Sequence, residues 1–242
     1  MFVYFMAFMA VLYTIGFEVY FRQHYCRVSS AYYDRNVQLA RDVTARLFQN
    51  KIPFWLDYAT LLGFLREDPI NVWDHDTDFS VLFSDTNPIT GAKENTVEQL
   101  LRLFNDDIMH AFYEDRRKLV QVRYREGNQG PHVDLWVWHE LPLDDPESFQ
   151  TLPPSKDFPN GARYAVRTMK TFDPDVNTQT RPLSLIFPLQ TVQWAGMTVT
   201  VPFDAHGVAH NEFSRYGGTY LKPLVFRGDC LHNLVSLRWL PW

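Results

Sequence analysis

The sequence predicts an α+β protein, in which helices flank a sheet rather than alternating with its strands. Three observations predict it. Apolar residues recur at helical spacing over Asp34 to Asn50 and again after Thr96. Strand-like runs cover Asp76 to Phe83, Lys118 to Arg125 and His132 to Trp138. The last two runs are joined by the turn Glu126-Gly127-Asn128-Gln129-Gly130-Pro131 and so form a hairpin. The order helix, strand, helix, hairpin, strands, helix does not fit a doubly wound sheet. With 46% apolar residues among 242, the chain can bury a full core, and it reads as one folded domain after its amino terminus. A net charge of −5 argues against a nucleic-acid partner held by phosphate contacts. Two cysteines, Cys26 and Cys230, exclude a disulfide framework and a four-thiolate zinc site.

Each element has its own signal. Residues 1–17 lack a charged side chain, and Phe2, Tyr4, Tyr13, Phe17, Tyr20 and Phe21 suit the two edges of a bilayer. We read 1–21 as a transmembrane or signal-anchor segment. A cleaved signal peptide and a buried apolar helix are the alternatives, the former weakened by the missing basic n-region. In the first helix Val37, Ala40, Val43 and Leu47 share a face, and Asn50 and Pro53 end it. In the second, Thr96 and Gln99 read as a capping box, and Val97, Leu100, Leu101, Phe104 and Ile108 form the stripe. Proline-rich segments at 141–145 and 153–159 interrupt the chain. Leu183 to Phe187 and Met197 to Val201 read as short strands. His206 to Tyr216 reads as a helix closed by Gly217-Gly218.

The chemistry lies in the acids. Asp74, Asp76 and Asp78 stand at spacing two, and on a strand Asp76 and Asp78 project from one face. Carboxylates that close repel each other unless a cation or proton intervenes, and clustered oxygen ligands suit Mg²⁺ or Mn²⁺. Asp134 is the lone acid in the apolar run His132-Val133-Asp134-Leu135-Trp136, a costly position unless it is paired or metal-bound. Were the two strands adjacent, Asp76, Asp78 and Asp134 would converge. The alternatives are a solvated acidic turn and a structural Asp. His132 and Trp136 flank Asp134 on its own face, as supports of the acid or as core. Arg123 and Arg125 share a face that is either solvated or turned to an anion. His206 and His210 stand four apart, yet they lack a third ligand nearby and read as an ordinary helix face.

The segment Trp55-Leu56-Asp57-Tyr58-Ala59-Thr60-Leu61-Leu62-Gly63-Phe64-Leu65-Arg66, followed by Trp73-Asp74-His75-Asp76-Thr77-Asp78, resembles the signature of the LicD / fukutin-related family. His132-Val133-Asp134-Leu135 resembles its second acidic strand. Val201-Pro202, Tyr216-Gly217 and Pro223 resemble its closing motif more weakly. The likeness runs from about Val37 to Pro223, so 22–36 reads as a stem and 37–242 as a LicD-like transferase domain. It implies a nucleotidyltransferase-like mixed sheet flanked by helices. It also implies transfer of a phosphorylated alcohol, of the ribitol 5-phosphate or phosphocholine type, from a CDP-activated donor to a glycan or glycoprotein acceptor.

Carried over by position, Asp76, Asp78 and Asp134 become the catalytic acids and metal ligands, and Thr60, Gly63 and Arg66 the donor-binding residues. Asp134 is also the expected base for the acceptor hydroxyl. Ala59 stands where the family usually has glycine. The resemblance further implies a single-pass protein of the Golgi or endoplasmic reticulum membrane with its catalytic domain in the lumen. Arg22 and Arg27, just after the span, point the other way by the positive-inside rule. Two rival functions remain: a non-catalytic, membrane-anchored relative that binds glycan or nucleotide, and a nucleotidyltransferase that uses free CTP.

Overall fold

The computed structural model describes Tyr4, Met9 and residues 28–66, 74–84, 91, 93–126, 130–140, 164–169 and 177–213. Apart from Tyr4 and Met9, the expected anchor lies outside the described residues, as do stem residues 22–27, both proline-rich segments, both cysteines and the closing Tyr216-Gly217. Among the described residues no helix is long and apolar enough to cross a membrane.

The first helix, α1, spans Ser30–Gln49, four residues earlier than the apolar spacing indicated, because the Ser29 side chain caps it by accepting from the Tyr32 N–H at 3.2 Å. Strand β1 (Phe54–Leu56) and helix α2 (Tyr58–Leu65) follow. Sequence patterning did not indicate α2. Asp57 caps a helix by accepting from the Tyr58 N–H, and Thr60 lies in its first turn. Ala59 keeps a negative φ, so the backbone there does not require glycine.

Strand β2 (Asp76–Leu82) leads to α3 (Thr96–Phe104). The capping box exists one residue earlier than expected: Asn95 and Glu98 exchange the two bonds, and the Thr96 hydroxyl instead accepts from the Ser84 N–H at 2.8 Å. Ile108 does not continue the stripe. Asp106 turns the chain by accepting from the N–H groups of Ile108 and Met109, and β3 (Met109–Glu114) begins. The predicted hairpin is present as β4 (Leu119–Tyr124) and β5 (His132–Glu140).

Strands β6 (Tyr164–Met169) and β7 (Asn177–Pro182) pair with each other, and β6 also joins the end of β5. Residues 183–186 form one helical turn, α4 (Leu183–Ile186), and not a strand. A four-residue apolar run carries no period that separates the two, and Pro182 starts the turn as its N-cap. Strands β8 (Gln190–Trp194) and β9 (Met197–Val201) make a hairpin through Ala195 and Gly196, both at positive φ as a two-residue loop of this kind demands. The last described helix is α5 (Ala205–Phe213).

The main sheet runs β1-β2-β5-β4-β3, with β6 and β7 continuing from β5. Among the described residues only β2 and β5 pair in parallel; the other pairings of this sheet are antiparallel. One face, with Phe79, Val81, Val133, Leu135, Val120 and Val122, is wholly buried beneath α1 and α3. Each such side chain contributes roughly 1.5–3 kcal/mol of burial. The other face carries the acids, and α2 covers part of it.

Beneath α2 lies a buried ionic cluster. Arg181 donates to Asp57 Oδ2 at 2.5 Å and to Glu212 Oε2 at 3.1 Å, with its guanidinium 4.3 Å from the centre of the Trp138 ring and 5.3 Å from that of Tyr58. Burial disfavours the charge on Arg181, but Asp57, Tyr58 and Glu212 outweigh it and raise the pKa. Arg181→Met leaves two acids buried without their cation. We expect a loss of about 3–5 kcal/mol, read from the midpoint of urea denaturation.

Candidate metal and donor site

The parallel register of β2 and β5 places Asp76 opposite His132 and Asp78 opposite Asp134. On the far side of β5, β4 sets Arg123 opposite His132 and Gln121 opposite Asp134. Side chains on a strand alternate, so all six residues share the face turned away from α1. His132 Nε2 lies 3.5 Å from Asp76 Oδ2 and 3.7 Å from Asp134 Oδ1. Asp76, His132 and Asp134 thus bring three ligand atoms within 4.8 Å of one another. Asp134 is buried, while Asp76 and His132 are half-buried, so the cluster opens at the end where β2 and β5 begin.

Asp78 is not in that group of three. It is 7% exposed, and its Oδ1 accepts from Trp136 Nε1 at 2.8 Å. Its backbone is laced to α2: its N–H donates to Thr60 Oγ1 at 2.8 Å, and its C=O accepts from the Asp57 N–H at 3.2 Å. Thr60, itself buried, therefore meets the acids as a support for β2. Gly63 is buried one turn further along α2. Arg66 caps the carboxy-terminal end of α2, about 9 Å along the axis from Thr60. The donor-binding residues expected from sequence thus flank the acids along one helix rather than gathering at a single point.

Electrostatics separate the three acids. Burial pushes the Asp78 carboxyl well above its usual range, and Asp76, Asp134 and Asp74 add to this against the Trp136 hydrogen bond. Burial also raises Asp134, opposed by the charge of His132 and the hydrogen bond from Gln121. For Asp76, burial acts upward but is outweighed by the hydrogen bond and charge of His132, so its pKa is lowered. Two carboxylates beside an imidazole, with Asp78 buried behind them and Arg117 4.0 Å from Asp134 Oδ2, fit a divalent cation.

Two participants were misjudged or missed in the sequence. His132 belongs with the ligand atoms, and the face it shares with Asp134 was its signal. Gln121 gave no signal of its own, since an amide in an alternating strand usually faces solvent. Arg123 turns to this face, donating to Gln121 Oε1. Arg125, two residues on, is exposed and donates to the Asp106 carbonyl. His206 and His210 lie exposed on α5, as an ordinary helix face would.

A mixed sheet flanked by helices, with acids paired across two parallel strands, brings together Asp76, His132 and Asp134, which could hold a metal ion. The chain matches the family described as LicD/FKTN/FKRP, nucleotidyltransferase domain, over residues 51–204, and it belongs to that family. Membership makes it a transferase by class. No curated protein matches it. Among solved structures it is similar to an antigenic nucleotidyltransferase-like protein from Paracoccidioides brasiliensis, at 14% identity and a TM-score of 0.38, over 88% of this chain and 91% of that one.

Because the folded Asp78 pKa is raised, ionising this carboxyl costs stability above the unfolded pKa, up to a limit reached beyond the folded pKa. Asp78→Asn keeps an acceptor for Trp136 and removes that cost. Without metal, its melting temperature should exceed that of the wild type at pH 7. The gap should close as pH falls below about 4. A melting series in chelator checks this.

Proposed function

We propose that this protein transfers a phosphorylated alcohol, of the ribitol 5-phosphate or phosphocholine type, from a CDP-activated donor to a glycan or glycoprotein acceptor, using Mg²⁺ or Mn²⁺. The observation that carries the reading is the convergence of Asp76, His132 and Asp134 on one sheet face in a chain of this family. Asp76 and Asp134 would hold the cation, His132 would add a nitrogen ligand or steady both carboxylates, and Asp78 would supply further negative charge. A bound cation supplies charge neutralisation for the donor's phosphate oxygens. Mn²⁺ suits a set containing an imidazole better than Mg²⁺, which prefers an all-oxygen shell.

The residues themselves account for the remaining steps. Thr60 and Trp136 hold Asp78 through its backbone and side chain. Asp134, with its pKa raised by burial, is the carboxylate suited to take the proton from the acceptor hydroxyl. The open end of the face, at Asp76 and His132, is where a donor's phosphates would enter. Arg66, which caps the end of α2, would be the residue that meets the donor in this reading.

The test pairs calorimetric titration of Mn²⁺ with phosphorus-detected transfer from CDP-ribitol and CDP-choline. Asp76→Asn and Asp134→Asn should each weaken Mn²⁺ binding and lower transfer by about 100-fold or more while the protein still melts cooperatively. Wild-type Mn²⁺ affinity in either variant would remove the metal assignment.

For location, we propose a single-pass anchor in the Golgi or endoplasmic reticulum membrane with the transferase domain in the lumen, where glycan acceptors of the resembling enzymes lie. An N-x-Ser/Thr sequon engineered into an exposed turn should then be glycosylated in cells. An unmodified sequon beside a modified control places the domain on the cytosolic side.

A further inference from the structure

We infer that Arg123 and Gln121 form a positioning pair that fixes the orientation of the Asp134 carboxylate. The inference rests on the metal-site reading above and assigns two residues that the acid motif does not contain. Gln121 is 3% exposed, and its amide is used at both ends. Its Nε2 donates to Asp134 Oδ1 at 2.8 Å, while its Oε1 accepts from Arg123 Nε at 3.0 Å and from Nη2 at 2.7 Å.

This arrangement has one workable polarity. Were the amide turned over, its NH₂ would face the guanidinium, donor against donor, and its oxygen would face a carboxylate, acceptor against acceptor. The two donors from Arg123 therefore decide which end of Gln121 meets Asp134. A charge-assisted fork of this kind is stronger than a neutral hydrogen bond, so the choice is firmly made. With Oδ1 held by Gln121, rotation of the Asp134 carboxylate is restrained: Oδ1 stays 3.7 Å from His132 Nε2, and Oδ2 stays turned toward Arg117 Nη1, 4.0 Å away. Partners that orient a ligand in this way commonly change metal affinity by about 10–100-fold when removed.

Charge and orientation predict opposite signs here, which makes the inference testable. Arg123 is a cation near a cation site. Acting through charge alone, its removal would tighten metal binding; acting through Gln121, its removal must weaken it. The experiment is Mn²⁺ titration of the full chain as wild type, Arg123→Leu, Gln121→Met and the double variant, with melting in chelator as the control for folding.

We expect the Mn²⁺ Kd to rise about 10–100-fold in each single variant. The double variant should be no weaker than the worse single one, because both substitutions break the same relay. Arg123→Lys covers the case in which Arg123→Leu fails to fold. One ammonium cannot fork onto the amide oxygen, so its Kd should rise as well, whereas a charge-only role leaves it at the wild-type value.

An unchanged or lower Kd in the folded arginine variants overturns the inference, as do single effects that multiply in the double variant. Absence of Mn²⁺ binding in the wild type overturns the metal reading itself and this inference with it. Binding by the wild type with unaltered variants overturns the inference alone.

Discussion

The structure depends on the parallel pairing of β2 with β5. Residues paired between these strands lie 56 apart in sequence, with α3, β3 and β4 between them, so nothing local fixes their register. The apolar face does so instead. Thr77, Phe79 and Val81 alternate with the acids on β2, as Val133, Leu135 and Val137 do on β5, and all six are buried against the helices. A slip of β2 by one residue would drive Asp76 and Asp78 beneath α1 and expose Phe79 and Val81. Packing on one side of the sheet therefore sets the chemistry on the other. Asn36 of α1 spans the junction by accepting from the Thr77 hydroxyl and donating to the Asp76 carbonyl.

The acid face is graded from end to end. At Asp76 and His132 it is open and partly solvated; at Asp78 and Asp134 it is buried; at Ser80 and Trp138 it is sealed by Asp57, Arg181 and Glu212. The sealed end governs the middle. Asp57 caps α2 and, with Thr60, holds the Asp78 backbone, while the Tyr58 ring lies 4.9 Å from that of Trp136, which in turn donates to Asp78. Tyr58 also donates to Gln179, and Gln179 donates to Glu212, closing a ring of polar contacts. The unusual backbone of Tyr58, at φ 46°, sits inside this ring. Its neighbours hold it there from both sides.

Much of this was legible in the sequence where a period or a spacing carried it. Alternation gave β2, β4 and β5 almost to the residue, and the spacing of Asp76 and Asp78 put those two on one face, while Asp134 joins them through the pairing of β2 with β5. Short elements were not legible. β1 has three residues and α4 has four, too few to express either period. β3 was lost because Ile108 seemed to extend a helical stripe that Asp106 in fact ends. The eight residues of α2 are too uniformly apolar to show a helical stripe, and only Asp57, its cap, marks where it starts. At the site, His132 and Gln121 acquire their roles only across strands. Arg181 and Glu212 could not be read at all, since each is an ordinary charged residue until the other is placed beside it.

The matched family region stops at Asp204, but the folded unit does not. In α5, Val208 and Ala209 enter the main core, and Glu212 supplies one of the two carboxylates around Arg181. A fragment trimmed to the boundary of the motif would lose this carboxylate, and the cation would remain in an apolar hollow with half its counter-charge. Helix α2 would lose its neighbour and, with it, the surface that holds the carboxylates still. The hereditary border and the mechanical border of this domain thus fall at different residues. Any excision or fusion that keeps the folded unit must carry the chain at least through Glu212.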